Sequence, residues 1–465
     1  MSKRILVISD LHLADGHPIL DGFGREQQAA FEGLLLATEP GGSLAPLQIA
    51  GDDAIQGEVE LVINGDCFDL LAIPPYLADG ISTPAIACEK LAAIVSVHQA
   101  FFTAMRRFLR IPGRRVTFIP GNHDIELVFT QAREFVSRAI DAGDQAANVS
   151  FRQARSYRPL ADVYIEHGHH YDFWNHARDA WDEEGQALSP RPAMLTLPVG
   201  TQYFQRASHP ISVRYPYLDY VDPSIDSMRQ IALLCLLDPG IVIETARRAM
   251  QMLSYPRVAL AGLAPGDELQ PAVLFEKAMT DFAAFQQDMI AQDGAWQAIE
   301  ASLSAYTAEQ SDPQAGAIRE FVALRGMLSQ PPLEAVQAIL TPVVYPMGES
   351  VAAGMHAILA RGPELCYAIA GHTHMLRRDI LDSSGGVQVY LNTASWTKRE
   401  ALPTAGEITP EFVAWLRDPG DKTSPLRKTT RFVFALVDGG EGRQTAARLC
   451  EWVGGKEGYC DSIYE

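Results

Sequence analysis

The sequence is poor in cysteine, and the six cysteines that it has stand far apart. They occupy positions 67, 88, 235, 366, 450 and 460, and none has C-x-x-C spacing. This usage is typical of reduced, mostly buried thiols in a cytosolic protein, and it disfavours a disulfide framework. At 465 residues, the chain can bury a sizeable hydrophobic core in one large domain or in two to three ordinary ones.

Basic residues are also scarce. The chain has 38 Lys and Arg against 57 Asp and Glu, which gives a formal net charge of −19 at pH 7. This excess of negative charge disfavours general binding to nucleic acid or to an anionic membrane surface. Its simplest interpretation is a solubilising surface. An anionic substrate is still compatible with it, because bound metal ions can make a pocket locally positive.

Long hydrophobic runs are absent as well. The most apolar later stretch, 231–243, is interrupted by Asp238-Pro239-Gly240 and is too short to cross a bilayer. Near the start of the chain, Lys3 and Arg4 precede only four apolar residues, which is too short for the core of a signal peptide. We therefore expect a cytoplasmic protein without a transmembrane segment.

The chain does contain a series of short apolar strands. Continuous β-branched runs predict buried strands at 4–9, 59–64, 116–120, 162–166, 366–370, 387–391 and 431–437. Apolar residues at helical spacing predict helices over 24–39 and 89–110. Strands that alternate with helices indicate a layered α/β domain, in which functional side chains collect just beyond the strand ends.

Five polar clusters occupy these strand ends. They are Asp10-Leu-His12, Gly65-Asp66, Gly121-Asn-His-Asp124, His167-Gly-His169 and Gly371-His-Thr-His374. Carboxylates can bridge cations, imidazole suits Zn, Fe and Mn, and an amide oxygen adds a neutral hard ligand. Capping or turn formation would explain any one cluster alone. Five in this order predict a site for two metal ions.

The clusters resemble the pattern of the calcineurin-like metallophosphoesterase family over 1–170 and 362–437. The family order D-x-H, G-D-x-x-D, G-N-H-D, H-G-H and G-H-x-H occurs here without a missing member. The resemblance implies an α/β fold, a four-layer α/β/β/α sandwich with mixed sheets, and two divalent metal ions. Manganese is the first choice of metal, and zinc or iron would suit the same nitrogen and oxygen ligands.

The resemblance also implies the site residues. Seven metal ligands are expected: Asp10, His12 and His374 at the first ion, Asn122, His167 and His372 at the second, and Asp66 bridging both. His123 is similar to the family's catalytic histidine that contacts the reacting phosphate, and Asp124 is placed to orient it. Asp69 is left open between a direct role and a supporting or capping role. The run from Asn392 to Ser395 resembles an Asn-x-x-Ser turn that follows the last ligand motif in many members.

Elementary chemistry agrees with these roles. Asp10 and His12 are two residues apart on an extended segment, so they share a face and can chelate one ion. His372 and His374 can serve different ions only if the ions are roughly 3.5–4 Å apart. Water shared by two cations loses a proton near neutral pH, and the resulting bridging hydroxide would attack phosphorus in line. His123 could stabilise the developing charge or protonate the leaving oxygen.

A second histidine-rich group follows the fourth cluster. It could be an additional metal site, but polar residues at the root of an insertion are the favoured interpretation; its members are His169, His170, Asp172 and His176. His169 also stands where relatives that act on a lipid sugar nucleotide tend to have aspartate.

The composition and the hydrophobic pattern of the sequence change over 171–362. Strand signals vanish, and Ala, Gln, Met and Leu recur at helical spacing over 228–253, 272–303 and 316–328. So long a stretch cannot be a structureless loop inside a compact domain. We predict a large, mainly helical insertion at 171–362 within a catalytic domain formed by 1–170 and 363–440, followed by a C-terminal tail at 441–465.

Three hypotheses for function follow. The first is a dinuclear metal-dependent phosphoesterase, acting on monoesters or diesters, whose substrate is gated by the insertion. The second is a hydrolase of a lipid-linked diphosphate, similar to UDP-2,3-diacylglucosamine pyrophosphatase. The third, an inactive scaffold, is less favoured because such members typically lose ligands that this sequence keeps. The partner is in each enzymatic case a phosphoester, small or lipid-linked, and the sequence does not indicate an oligomeric state.

Overall fold

Two units make up the chain in its computed structural model. Unit 1 comprises Met1–Gln205, Pro346–Lys398 and Thr430–Glu465, and unit 2 comprises Arg206–Tyr345 and Arg399–Thr429. The structure describes residues 2–17, 20–45, 57–75, 80–140, 147–222, 227–241, 245, 248, 332–340, 348–383, 386–419, 424–440 and 442–463, without 173, 178, 183, 189–192 and 239.

The described strands are numbered along the chain. They are β1 (Ser2–Ile8), β2 (Glu58–Asn64), β3 (Ile81–Ser82), β4 (Arg114–Ile119), β5 (Val149–Phe151), β6 (Ser156–Leu160), β7 (Val163–Glu166), β8 (Leu195–Thr196), β9 (Val221–Asp222), β10 (Tyr367–Ala370), β11 (Leu376–Ser383), β12 (Gly386–Thr393), β13 (Glu400–Ala401), β14 (Val433–Gly440), β15 (Ala446–Val453) and β16 (Tyr459–Ile463).

The described helices are numbered in the same way. They are α1 (Arg25–Leu36), α2 (Pro84–Val97), α3 (Gln99–Leu109), α4 (Thr130–Ile140), α5 (Val199–Tyr203), α6 (His209–Arg214), α7 (Tyr217–Tyr220), α8 (Ser227–Leu237), α9 (Pro332–Leu340), α10 (Glu349–Arg361) and α11 (Pro410–Arg417). Short 3₁₀ segments occur at Leu70–Ala72, Ile125–Val128, His169–Tyr171 and Ala405–Glu407, and a π-helical turn at Phe204–Ser208.

Unit 1 contains two large mixed sheets. The first has the order β16-β15-β14-β1-β2-β4-β5, with β1, β2, β4 and β5 parallel and β14 antiparallel to β1. The second has the order β11-β12-β10-β7-β6, with a parallel centre formed by β7, β10 and β12 and antiparallel edge strands. Parallel strands are buried on both faces, which is why their sequences read as continuous apolar runs rather than alternating ones.

Three apolar layers hold unit 1 together. Side chains of both sheets, among them Val7, Val62 and Ile369, form one buried cluster between the sheets. The opposite face of the first sheet packs against α1–α4, and the opposite face of the second packs against α10. The predicted α/β/β/α sandwich with mixed sheets is therefore confirmed.

All seven predicted strands are present, within three residues of their predicted bounds. The single helix predicted over 89–110 is wrong. It is two helices, α2 and α3, bent by 87°. The bend lies at His98, whose backbone is non-helical at φ −97° and ψ 36° and whose Nε2 lies 2.8 Å from Oδ2 of Asp21. A tertiary contact therefore interrupts a segment whose local pattern is helical throughout.

The C-terminal residues also differ from the expectation. Most of 441–465, which we predicted as a tail, forms β15 and β16 and extends the first sheet. Leu449, Cys450 and Trp452 are buried there. The Gly-rich and charged residues around these strands obscure their alternation in the sequence.

Unit 2 has an apolar core of its own. Tyr217, Leu233, Val336 and Phe412 are among its buried residues, and they come from α7, α8, α9 and α11. Residues 399–429 belong to this unit, and β13 pairs with β9 in parallel. The unit bounds differ from the predicted insertion bounds, because 171–205 and 346–362 lie in unit 1.

The interior of the predicted insertion is only partly described. The helix predicted over 228–253 is seen as α8 in its first part. The helices predicted over 272–303 and 316–328 lie outside the described residues, so the mainly helical insertion stays a prediction. Among the described helices, no single one is long and apolar enough to cross a membrane, and α2 and α3 meet that test only as a bent pair.

Candidate metal centre

The five polar clusters come together in unit 1, beyond the carboxyl ends of β1, β2, β4, β7 and β10. Their loops are hydrogen-bonded to one another. The amide of Asp10 donates to the carbonyl of Gly65 (3.2 Å), and the amide of Gly371 donates to the carbonyl of His167 (3.0 Å). The amide of His372 donates to Oδ2 of Asp10 (3.1 Å), which joins the first sheet to the second.

One group of donors consists of Asp10, His12 and His374. Nε2 of His374 lies 3.2 Å from Nε2 of His12 and 3.2 Å from Oδ1 of Asp10, and Nε2 of His12 lies 3.9 Å from the same oxygen. Oδ1 of Asp10 is buried without a hydrogen-bond partner among the described residues. Donor atoms at these separations fit a cation with bonds of about 2.0–2.2 Å to nitrogen and oxygen.

A second group consists of Asp66, His167 and His372. Nδ1 of His167 lies 2.8 Å from the carbonyl oxygen of Asn64, to which only an N–H can donate, so the lone pair of the ring is on Nε2. That Nε2 lies 3.1 Å from Oδ2 of Asp66. It has no hydrogen bond within the described structure, as expected of a nitrogen that faces a cation.

Asp66 lies between the two groups. Its Oδ2 is 3.1 Å from Nε2 of His167 in one group and 3.9 Å from Nε2 of His12 in the other. Its Oδ1 accepts a hydrogen bond from the amide of His123 (2.9 Å), which fixes the carboxylate. This is the position that a bridging carboxylate requires.

Asn122 has an amide oxygen available as a further ligand. Its Nδ2 donates to Oδ1 of Asn175 (3.2 Å), and its Oδ1 is buried with no hydrogen-bond partner in the part of the chain that the structure describes. All seven predicted ligands therefore lie at one site. The orphaned oxygens and nitrogen are of the types that bind divalent ions.

The backbone at the ligands is strained. Six described non-glycine residues have positive φ, between 51° and 69°, and five of them are predicted ligands: Asp10, His12, Asp66, His372 and His374, with Ala394 as the sixth. Such conformations cost about 1–3 kcal/mol each and persist at functional sites where the surrounding structure imposes them. The left-handed backbone after β1, β2 and β10 brings these side chains into the site, and no local sequence signal predicted it.

Two motif glycines allow the ligand loops to lie close to one another. A Cβ at Gly121 would overlap Oδ1 of Asp66, and a Cβ at Gly371 would overlap Oδ2 of Asp10. The glycines of G-N-H-D and G-H-x-H are thus required by contact with the carboxylates of other clusters.

The site also has a characteristic electrostatic pattern. Burial raises the pKa of the Asp66 carboxyl, but the adjacent His167 and His123 outweigh it and hold that pKa well below its usual range. Burial lowers the pKa of His167, but the carboxylates of Asp66 and Asp10 outweigh it and raise the pKa to about 9. Acidic and basic groups of one buried cluster thus stabilise each other's charges, and cations can replace the protons.

His123 lies at the accessible side of the site. Its side chain is 24 % exposed, and its Nε2 is 4.0 Å from Oδ2 of Asp66. Its Nδ1 lies 2.8 Å from Oδ1 of Asp69. Oδ2 of Asp69 lies 3.7 Å from Nδ1 of His12, so one carboxylate faces both rings.

The prediction that Asp124 orients His123 is wrong. Oδ1 of Asp124 accepts from the amide of Gly121 (2.6 Å), and Oδ2 accepts from the amides of Cys67 (2.8 Å) and Phe68 (3.3 Å). Asp124 is fully buried, so it cannot contact a substrate. It holds the loops of two clusters together, and Asp69, which the sequence left open, takes the orienting position.

The turn from Asn392 to Ser395 is hydrogen-bonded to two of the ligand loops. Nδ2 of Asn392 donates to the carbonyl of Gly371 (2.8 Å), and Oγ of Ser395 donates to the carbonyl of Asp10 (3.1 Å). These bonds fix the backbone of two ligand loops, one from each sheet.

The second histidine-rich group divides in the structure. His169, His170 and His176 belong neither to the two donor groups above nor to the third candidate group, which consists of His12, Asp66 and His123. His169 is buried beside His167 and Trp181, with ring centroids 5.4 and 5.7 Å apart. Asp172, in contrast, has Oδ2 3.2 Å from Nε2 of His372. The sequence analysis did not predict a role for Asn175, because no motif indicates its contact with Asn122.

Comparison with known families agrees with this geometry. Residues 3–205 match the family model described as calcineurin-like phosphoesterase. These residues form a calcineurin-like phosphoesterase domain. A comparison with curated proteins finds no match to the chain. The family match over these residues supports a metal-dependent phosphoesterase in general.

The family match ends before the last ligand motif. His372 and His374 lie beyond residue 205, so it is the fold of unit 1 that adds them to the site of the phosphoesterase domain. The family implies divalent metal ions, and the two donor groups with their orphaned atoms fit that requirement.

Proposed function

We propose that this protein is a dinuclear metallophosphoesterase that hydrolyses a P–O bond of a phosphomonoester or phosphodiester. The observation that carries the proposal is the position of Oδ2 of Asp66, which lies close to both donor groups. One group would hold the first ion through Asp10, His12 and His374. The other would hold the second ion through Asn122, His167 and His372, with Asp66 common to both.

The two ions, when bound, would acidify water to give a nucleophile near neutral pH and would neutralise charge on the phosphoryl group. The residues that would hold the ions are largely buried, since Asp10, Asp66, Asn122 and His167 are each at most 3 % exposed. His374 and His123, whose side chains are 24 % exposed, mark the side from which a substrate can enter.

His123 is the proposed catalytic residue of the chain. Because Asp69 faces Nδ1, that nitrogen carries the proton shared with the carboxylate, and Nε2 is directed into the site. There it can donate a hydrogen bond to a phosphoryl oxygen or a proton to the leaving oxygen. Asp69 keeps the ring in that orientation.

The first test is a panel of aryl phosphomonoesters, phosphodiesters and pyrophosphates, each assayed with chelator-stripped protein and added Mn²⁺, Zn²⁺ or Fe²⁺. We expect turnover that depends on the metal, with Mn²⁺ the most effective. Protein that binds two ions per chain and hydrolyses no member of the panel would contradict the proposal.

The second test separates catalysis from metal binding. His123→Ala should lower kcat about 10²–10⁴-fold and leave the metal content at two ions per chain. A matched control exists in the same unit: Nε2 of His356 lies 2.8 Å from Oδ2 of Asp379, the same separation as in the catalytic pair. His356→Ala should leave kcat unchanged, because that pair is not among the candidate metal donors.

Gating of the substrate by the insertion is part of the proposal. Residues 206–345 enter the chain between His167 and His372, two ligands of the same ion. Replacing both segments of unit 2 with short Gly/Ser linkers should preserve turnover of a small aryl phosphate and reduce discrimination between small and long-chain esters. Unchanged discrimination in a folded variant would exclude gating.

A further inference from the structure

The second donor group has supporting residues that lie outside all five polar clusters. Asp172 and Asn175 are on the loop that follows the 3₁₀ segment His169–Tyr171. They touch two proposed ligands that are 250 residues apart in sequence, Asn122 and His372.

The hydrogen bonds form a continuous chain. Nδ2 of Asn122 donates to Oδ1 of Asn175 (3.2 Å), and Nδ2 of Asn175 donates to Oδ2 of Asp172 (2.7 Å). The same Oδ2 lies 3.2 Å from Nε2 of His372. The other oxygen, Oδ1, accepts from the amide of Trp174 (3.0 Å), so both oxygens of Asp172 are engaged.

The charge of Asp172 sets the direction of this chain. An ionised carboxylate only accepts hydrogen bonds, so Asn175 must present its NH₂ group to Asp172 and its oxygen to Asn122. Asn122 must then present its own NH₂ group to Asn175, which leaves its Oδ1 for the site. That oxygen is the buried atom without a partner within the described residues.

The same carboxylate selects the tautomer of His372. When Nε2 donates to Asp172, the lone pair of the ring is on Nδ1. Carboxylates that hold a ligand histidine in this way fix the ring and raise its basicity.

The backbone keeps the loop in place. The amide of Asn175 donates to the carbonyl of Asp172 (3.1 Å), and the amide of Gly200 in α5 donates to the carbonyl of Trp174 (2.7 Å). The side chain of Asp172 is 31 % exposed, so the chain of hydrogen bonds lies between the buried ligands and solvent.

We infer that Asp172 and Asn175 are positioning residues for the second metal ion, fixing the amide oxygen of Asn122 and the donor nitrogen of His372. The inference rests on the proposed dinuclear function. It concerns only the second ion, because these contacts run to Asn122 and His372, both of which are assigned to that ion.

The test is titration of Mn²⁺ into chelator-stripped protein by calorimetry, with Asp172→Ala, Asn175→Ala and the double variant. We expect the first ion to bind as in wild type and the second to bind about 10–100-fold more weakly in each single variant. In the double variant, the affinity for the second ion should fall by less than the product of the two single-variant factors, because both residues act through one chain of hydrogen bonds. Asp172→Asn removes the charge that sets the direction and should fall between wild type and Asp172→Ala.

Electron paramagnetic resonance provides a readout that is independent of turnover. At two equivalents of Mn²⁺, wild type should show a coupled pair, and the variants should show mainly the hyperfine pattern of isolated Mn²⁺. The matched control is Asp182→Asn, since exposed Asp182 on the same segment accepts from the amide of Gln186 (2.7 Å), a bond that asparagine can keep.

Several outcomes would overturn the inference. One is wild-type affinity for the second ion in variants that fold. Another is equal weakening of the binding of both ions, which would indicate a general structural role. Failure of the proposed function has a different signature. Wild-type protein would then bind two ions, and the variants would lose the second, but no phosphoester would be hydrolysed.

Discussion

The pH dependence of stability provides a sharp test of the metal-ligand cluster. His167 is buried beside two carboxylates, and although burial lowers its pKa, Asp66 and Asp10 raise it from 6.5 to about 9. In the metal-free protein, the folded state therefore binds this proton more tightly than the unfolded state. The resulting stability is fully present below about pH 6.5 and is lost as the pH rises through about 9.

The magnitude follows from the same values. A rise in pKa from 6.5 to about 9 corresponds to about 3 kcal/mol of unfolding free energy. The pKa of His12 is also raised, since Asp10 and Asp69 outweigh the effect of burial. Deprotonation of His12 therefore also lowers the unfolding free energy as the pH rises. Most domains have only about 5–15 kcal/mol of stability in total, so the effect should be readily measured.

The assay is urea unfolding of chelator-stripped protein at pH 6 and pH 9, followed by circular dichroism. We expect an unfolding free energy lower by about 3 kcal/mol at pH 9. His167→Asn should flatten this dependence, and the difference from wild type isolates the contribution of the one ring. With saturating Mn²⁺ the sign should reverse, because the ions displace the protons and bind more tightly as pH rises.

Two results would refute the reasoning. One is metal-free protein whose stability is constant or increases from pH 6 to pH 9. The other is a His167→Asn variant with the same pH dependence as wild type, which would place the titrating groups elsewhere.

Three further predictions concern the loops around the ions. Asp69→Asn should lower kcat about 10²–10³-fold with both ions retained, because the catalytic ring loses its orienting charge; unchanged kcat would contradict the role. Gly121→Ala should reduce metal content as measured by mass spectrometry, since the new methyl group meets the Asp66 carboxylate, whereas Gly406→Ala, with open space around it, should not. Asp124→Ala should lower the unfolding free energy by about 3 kcal/mol in a chemical denaturation assay, because three buried amides lose their acceptor; a change in kcat without a change in stability would argue instead for a catalytic role.

Much of the fold was predictable because the central strands are buried on both faces. Residues such as Ile5, Val62 and Ile369 lie between the sheets, and such strands need an almost continuous apolar sequence that stands out against its surroundings. Several strands that escaped prediction lie at sheet edges, among them β5, β6, β11 and β16, and β15, next to the edge, mixes apolar with charged residues. The bend at His98 escaped because its cause, the contact with Asp21, is 77 residues away.

In the candidate site too, some features were predictable from the sequence and others were not. The sequence by itself determined which seven side chains are available as ligands, because their residue types and order form a pattern that chance and turn formation do not explain. It could not assign partners within the site. Asp124 is adjacent to His123 in sequence, yet Asp69 orients the ring, and Asn175 reaches Asn122 without any motif.

Only the tertiary structure decided which oxygen and which nitrogen faces the candidate metal centre. That choice depends on left-handed turns at Asp10, Asp66 and His372 and on hydrogen bonds from other loops. The cost of a strained turn is met by the surrounding fold and not by the residue itself. Local sequence therefore specifies the candidate ligands of the site, and long-range packing specifies how they are oriented.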